Sequence, residues 1–234
     1  MLADLGELFA AVPPEADTEA YAEAVVDENA LGKQTAATRR HSLQRLRELY
    51  ALDPRLPIFR VLRRLWQVDV SGRPLVALLA ATARDPLLRL AAPVVVDLPA
   101  GDELVRSDLL ARLRPVLADR LNPASLDKLA RHLGSSWTQA GLLEGRVRKF
   151  RVDVAPTIGA VAFALWLGWL GGRAGAGLLA SSWTRLLGLG GPAALPFALA
   201  ADRAGLLRAR AMADIVSIDP SALDPVVLVQ QAAR

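Results

Sequence analysis

The sequence predicts an all-α or mostly α protein, with helix-turn-helix elements and at most a short β wing. Three observations support this. The 234 residues are 53% hydrophobic and 22% charged, a globular composition in a chain long enough to bury a real core. Aromatics are scarce, and the bulk is Leu, Ala, Val and Arg, of which Leu, Ala and Arg favour helix strongly. Apolar residues recur at helical spacing between Gly and Pro breaks.

Taken in order, residues 18–31 read as a helix with Thr18 as cap and Gly32 as stop. A second helix starts at Thr35 and runs to Tyr50, with Leu43, Leu46 and Tyr50 on one face. His41, Gln44, Arg45 and Glu48 lie opposite. The short connection Gly32-Lys33-Gln34 makes the pair resemble a helix-turn-helix. By helical phase Arg39 falls on the inward side and needs a buried partner or a groove. Asp53-Pro54 and Leu56-Pro57 then break the chain. Residues 58–68 form a short helix carrying Arg60, Arg63 and Arg64, and Leu75–Ala83 and Leu87–Val96 form apolar helices opened by prolines. This gives an N-terminal helical domain over 1–98.

Residues 99–152 are expected to form a second unit. After the linker at 98–102, Glu103–Leu121 reads as an amphipathic helix interrupted near Pro115. Ser125 is placed as the cap of a helix that ends at Gly134, and Ser135 or Ser136 as the cap of the next. Ala130 and Gly134 have the spacing of the small residue and turn glycine in helix-turn-helix packing, and Ala140 and Leu143 then face the core. Gly145 ends the second helix, and RVRKFRV (146–152) follows as an extended basic wing.

The remaining residues, 153–234, form an apolar helical region packing on the rest. Residues 154–172 hold no charge, which is long enough on paper for a membrane span. Pro156, Gly159, Gly168 and Gly171-Gly172 shorten the continuous helix to about a dozen residues, about 18 Å against a hydrocarbon core of about 30 Å. A helix buried on all sides is therefore expected in place of a span. GGRAGAG (171–177) reads as a tight connection, two short helices are expected around 193–212, and 215–219 reads as a short strand.

Net charge is +4, but its distribution is uneven. Residues 1–32 hold eight acids and no base, whereas 33–64 hold nine bases against two acids and 128–151 six bases against one acid. Of the 28 bases 25 are Arg, whose planar fork suits bidentate phosphate contacts. Cysteine is absent, and neither His41 nor His132 has a second His at ligand spacing, so no metal or cofactor is expected. No nucleophile elbow, Walker loop or dinucleotide-binding glycine pattern occurs, so no enzyme and no small-molecule substrate is expected. The first 21 residues carry acids and no Lys or Arg, unlike a secretory signal, and cytoplasmic residence is expected.

Two groups of residues are candidates for contact with a polyanion. Lys33, Thr35, Thr38, Arg39, Arg40 and Arg45 surround one helix N-terminus, where hydroxyls, amides and guanidinium groups suit phosphate. Ser135, Ser136, Thr138 and Gln139 would approach a groove, while Arg146, Arg148, Lys149 and Arg151 grip the adjacent backbone. The competing reading of each is a solvated helix face or an ordinary helical hairpin.

Three blocks, NALGKQTAATRRHSLQRLRELY (29–50), LDKLARHLGSSWTQAGLLEG (126–145) and LWLGWLGGRAGAGLLASSWTRLLGL (165–189), resemble in order the BrxA proteins of BREX bacteriophage-defence systems. The resemblance implies a helical accessory protein, likened to NusB and to helix-turn-helix proteins, working beside other BREX subunits. It supports binding of double-stranded DNA, with RNA as the alternative polyanion, and assigns no catalytic residue. A protein-interaction subunit and a single-span membrane protein stand as the rival readings.

Overall fold

Asp, Asn, Thr and Ser side chains open six of the helices, and Pro often stands in the first turn, where its missing N–H costs nothing. In the computed structural model, which describes residues 1–212 and 215–226, the chain is mostly helical with two small antiparallel hairpins. Helix α1 (Leu2–Ala11) was not anticipated. Helix α2 (Thr18–Val26) is capped by Asp17, not by Thr18, and ends before the turn at Gly32. Asp17 wins because its carboxylate accepts from both Glu19 N and Ala20 N. Helix α3 (Ala36–Tyr50) starts at Thr35 as expected. Beyond it Ala51 has φ 72°, and Leu52 N donates to Tyr50 O at 3.0 Å, a strained γ-turn held by burial of Leu52.

Helix α4 (Pro57–Val68) is the hub of the first half. Phe59 and Trp66 on it meet Phe9 of α1 edge-on, and Phe59 meets Tyr21 of α2 in the same way. Arg63, 5% exposed, donates to Phe9 O at 3.2 Å and Val12 O at 2.6 Å while its guanidinium lies 4.2 Å from the Phe9 ring centroid. Burial pushes this guanidinium below its ordinary pKa. Arg60 makes a two-pronged pair with Asp224, and Arg64 donates to Ala222 O and Leu223 O, so both hold the 3-10 turn Ser221–Leu223.

Helices α5 (Arg73–Arg84) and α6 (Pro86–Val96) follow, then α7 (Arg106–Leu117), which contains Pro115. The expected turn at Gly134 does not exist: α8 runs unbroken from Pro123 to Gln139, capped by Asn122. Gly134 lies in the helix interior, where the Lys149 side chain crosses it; a Cβ there would sit 3.3 Å from Lys149 Cδ. Ser135 and Ser136 are interior helical residues, and the neighbouring Trp137 is 0% exposed. Residues 99–152 therefore lack the helix-turn-helix expected at Gly134.

The expected wing is a hairpin, β1 (Leu143–Glu144) against β2 (Phe150–Arg151), with Arg146, Arg148 and Lys149 on its loop and Arg151 in a strand. The linker belongs to it, since Gly101 N and Leu104 N donate to Arg151 O and Lys149 O, and Glu103 bridges Phe150.

The uncharged segment forms α9 (Ile158–Leu170), capped by Thr157 and buried from Gly159 through Gly168. Among the described residues no helix is long and apolar enough to cross a membrane. Asp69 ties this helix to the first half, accepting from Gly72 N at 3.1 Å and from Thr157 Oγ1. Side chains at Gly72 and Gly159 would collide with that carboxylate, their Cβ atoms 2.1 and 2.4 Å from it. Short helices α10 (Ala176–Leu179), α11 (Ser182–Leu186) and α12 (Leu195–Arg203) surround α9. The second of the two helices expected around 193–212 is instead strand β3 (Arg208–Met212), paired with the anticipated β4 (Ile215–Asp219). Residues 227–234, the end of the expected C-terminal region, lie outside the described residues. Apolar residues of all three expected segments share one core.

Three substitutions test this packing. Gly134→Ala should raise stability by about 0.5–1 kcal/mol, the helix-propensity gain, as the flexible Lys149 stem yields. Gly145→Ala, at φ 96° with a Cβ 2.1 Å from Arg148 O, should cost about 1–3 kcal/mol. Urea unfolding of both variants decides whether Gly134 is helical or a turn residue. Arg63→Ala should lose about 3–5 kcal/mol by the same measurement, because two buried carbonyls lose charged donors.

Candidate nucleic-acid interface

Ion pairs and helix caps engage most of the first basic block. Lys33 Nζ lies 2.5 Å from Asp4 Oδ1, and Arg39 Nη1 donates to Val26 O at 2.8 Å. The inward phase of Arg39 is thus explained by the carbonyl end of α2, though its Nε has no partner. Thr35 accepts from Thr38 N, and the two hydroxyls lie 2.9 Å apart. Arg45 Nη1 pairs with Glu48 at 2.5 Å. Arg40 is exposed and has no partner among the described residues. These six residues do not form one concave surface, and of them Arg45 alone borders a cleft described below.

The second block behaves differently. Helix α8 turns its Ala130, Arg131, Gly134 and Ser135 face toward the β1–β2 loop, leaving a cleft of about 600 Å³. Its walls carry Arg106, from the first turn of α7, with Arg131, Arg146, Arg148 and Lys149. Glu103 is the acid on those walls, joined by Asp127 beneath Arg106 and Arg131. Five bases against two acids leave a cationic surplus at one place. Lys128, one helical turn before Arg131, extends it on the exposed surface.

The supporting contacts hold these bases at the surface without burying them. Arg106 Nη1 is 3.1 Å and Arg131 Nε 3.3 Å from the Asp127 carboxylate, and both side chains stay more than half exposed, at 53% and 58%. Arg148 pairs with Glu103 and stacks 5.2 Å from the Phe150 ring centroid. Arg146 is exposed with no partner among the described residues, beside the bare tip residue Val147. Lys149 Nζ donates to Thr138 Oγ1 at 2.9 Å, which pins the loop to α8.

Other predicted residues do other work. Arg151 is 7% exposed and donates to Leu142 O and Val152 O, closing the hairpin, and burial lowers its pKa. Ser136 and Thr138 hydroxyls donate to the α8 carbonyls of His132 and Gly134, and Gln139 Nε2 donates to Ser135 Oγ. The residues brought together are thus Ser135, Arg146, Arg148 and Lys149, with Thr138 as an anchor. Arg131 lies within the basic run 128–151 that the sequence singles out, whereas Arg106, 37 residues before β1, carries no local signal.

Among the described residues no group of three or more His, Asp and Glu is arranged to hold a metal ion. Compared with protein-family models, curated proteins and solved structures, the chain matches none.

The hydrogen bonds and charge of Arg148 hold the Glu103 carboxyl below its ordinary pKa. The contribution of this pair is present above the ordinary carboxylate range and is lost as pH falls through the lowered Glu103 value. In Arg148→Ala, the Glu103 titration followed by carboxyl-carbon NMR should move up toward that ordinary range. An unchanged titration would show that the pair does not persist in solution.

Proposed function

We propose that this chain binds double-stranded DNA through its phosphate backbone, in the cleft between α8 and the β1–β2 loop. The observation that carries this reading is the gathering of Arg106, Arg131, Arg146, Arg148 and Lys149 around one concavity whose acids are outnumbered. Exposed guanidinium groups held by weak surface pairs exchange readily onto phosphate, because an exposed ion pair contributes only about 0–1 kcal/mol. Arg146 is already free to do so.

With α8 continuous there is no separate recognition helix, and its hydroxyls are largely engaged with its own backbone. The expected contact is therefore positioning and not base reading, with weak sequence preference. The wider role of accessory subunit in a BREX-type defence complex rests on the three sequence blocks resembling BrxA, and co-purification with neighbouring-operon proteins would test it.

Fluorescence anisotropy with a labelled duplex across a salt series tests the binding. Affinity should fall steeply as salt rises, with a logarithmic slope of about 0.9 per phosphate neutralised. Arg146→Ala should weaken binding about 3- to 10-fold at low salt and reduce the slope by about one, whatever the sequence. Arg55→Ala, remote and paired with Asp53, should leave it unchanged. Absence of binding to any duplex at low salt would remove the reading, and a clear preference for duplex RNA would reassign the polymer.

A further inference from the structure

A second cleft, of about 520 Å³, borders the adjoining face of α8, between it, α3 and α5. Ser135 lines both clefts, but the second is of a different chemical kind. Leu49, Ala77, Leu78 and Leu133 give it an apolar floor. Into this floor are set two hydroxyl side chains, Ser42 at 7% and Tyr50 at 5% exposure. Neither hydroxyl has a hydrogen-bond partner among the described residues, and both line the cleft, where they are open to water or to a ligand that displaces it.

The rim is polar and carries donors. His41 and His132, the two histidines of the chain, stand on α3 and α8, and Arg45 joins them. The acids nearby are engaged: Glu48 with Arg45, Asp4 with Lys33, and Asp85 with the N–H groups of Leu87 and Leu88. A wholly apolar ligand would leave the two hydroxyls unpaired, and free phosphate would leave the apolar floor unused. A flat, heteroatom-edged body with an anionic group at one end satisfies floor, hydroxyls and rim together, and a volume of this size suits a small molecule.

We propose that this cleft binds a nucleoside monophosphate, its base directed toward Ser42 and Tyr50 and its phosphate at the rim of His41, Arg45 and His132. The site is independent of the DNA-binding reading and would revise the expectation of no small-molecule ligand. Adenosine monophosphate is titrated into the full chain by calorimetry, with amide NMR shifts to locate it. Saturable binding is expected, with shifts centred on Leu49, Ala77 and Leu133. Tyr50→Phe, Ser42→Ala and the surface change His132→Ala should each weaken it about 3- to 10-fold, each variant having lost one hydrogen bond. Inorganic phosphate alone should bind at least tenfold more weakly. No saturation at millimolar nucleotide, equal binding of phosphate, or folded variants that keep full affinity would overturn the proposal. Shifts centred on residues 146–149 would also overturn it, by placing the nucleotide in the basic cleft.

Discussion

Every α-helix ends in carbonyls that its own backbone cannot satisfy, and this protein meets that constraint largely with arginine. Among the described residues the first five helices each receive a guanidinium near their carbonyl end. Arg63 serves α1, Arg39 α2, Arg84 α3, Arg73 α4 and Arg89 α5. Each donor comes from a different element or the following connection, so the cap also fixes how two elements meet. A cation at this end is favoured by the helix dipole as well. The clearest instance is α4, where Arg63 reaches back to α1 while Arg60 and Arg64 reach forward to the turn around Asp224. One helix thereby fastens regions near both ends of the described chain.

This use of arginine changes what a basic segment means. The run from Lys33 to Arg64 is the most basic in the chain, and most of its charge is spent on Asp4, Asp53, Glu48, Asp224 and backbone carbonyls. The less basic run from Lys128 to Arg151 leaves more of its charge available, because its cations other than the buried Arg151 stand on an exposed helix face and an exposed hairpin loop. Availability, set by what lies within hydrogen-bond reach, distinguishes the two stretches where local charge does not.

Helix α8 organises both candidate surfaces. Its continuity through Gly134 lets the Lys149 stem lie against the helix and reach Thr138, which holds the basic loop at a fixed height. The same continuity keeps His132, Ser135, Ser136 and Gln139 in helical register along the second cleft. A chain broken at Gly134 would have lost both arrangements.

The helical class, the cap at Thr35, the inward Arg39, the buried helix of thirteen residues in the uncharged segment and the strand at 215–219 were legible in the sequence. Each depends on local rules: side-chain caps, helical phase, the absence of charge and β-branched alternation. The course of the chain at Gly134 was not legible, because a glycine after an amphipathic stretch fits a turn and a crowded helix interior equally well. What distinguishes them is tertiary: Leu133 and Trp137 on either side of Gly134 are buried in the shared core. Arg106 in the basic cleft, Asp17 displacing Thr18 as cap, and the pairing of residues 208–212 as a strand were hidden for related reasons. Local sequence set which side chains carry charge and where helices can begin. Tertiary packing alone decided which charges are neutralised, since that depends on carbonyls and carboxylates brought near by contacts between distant parts of the chain.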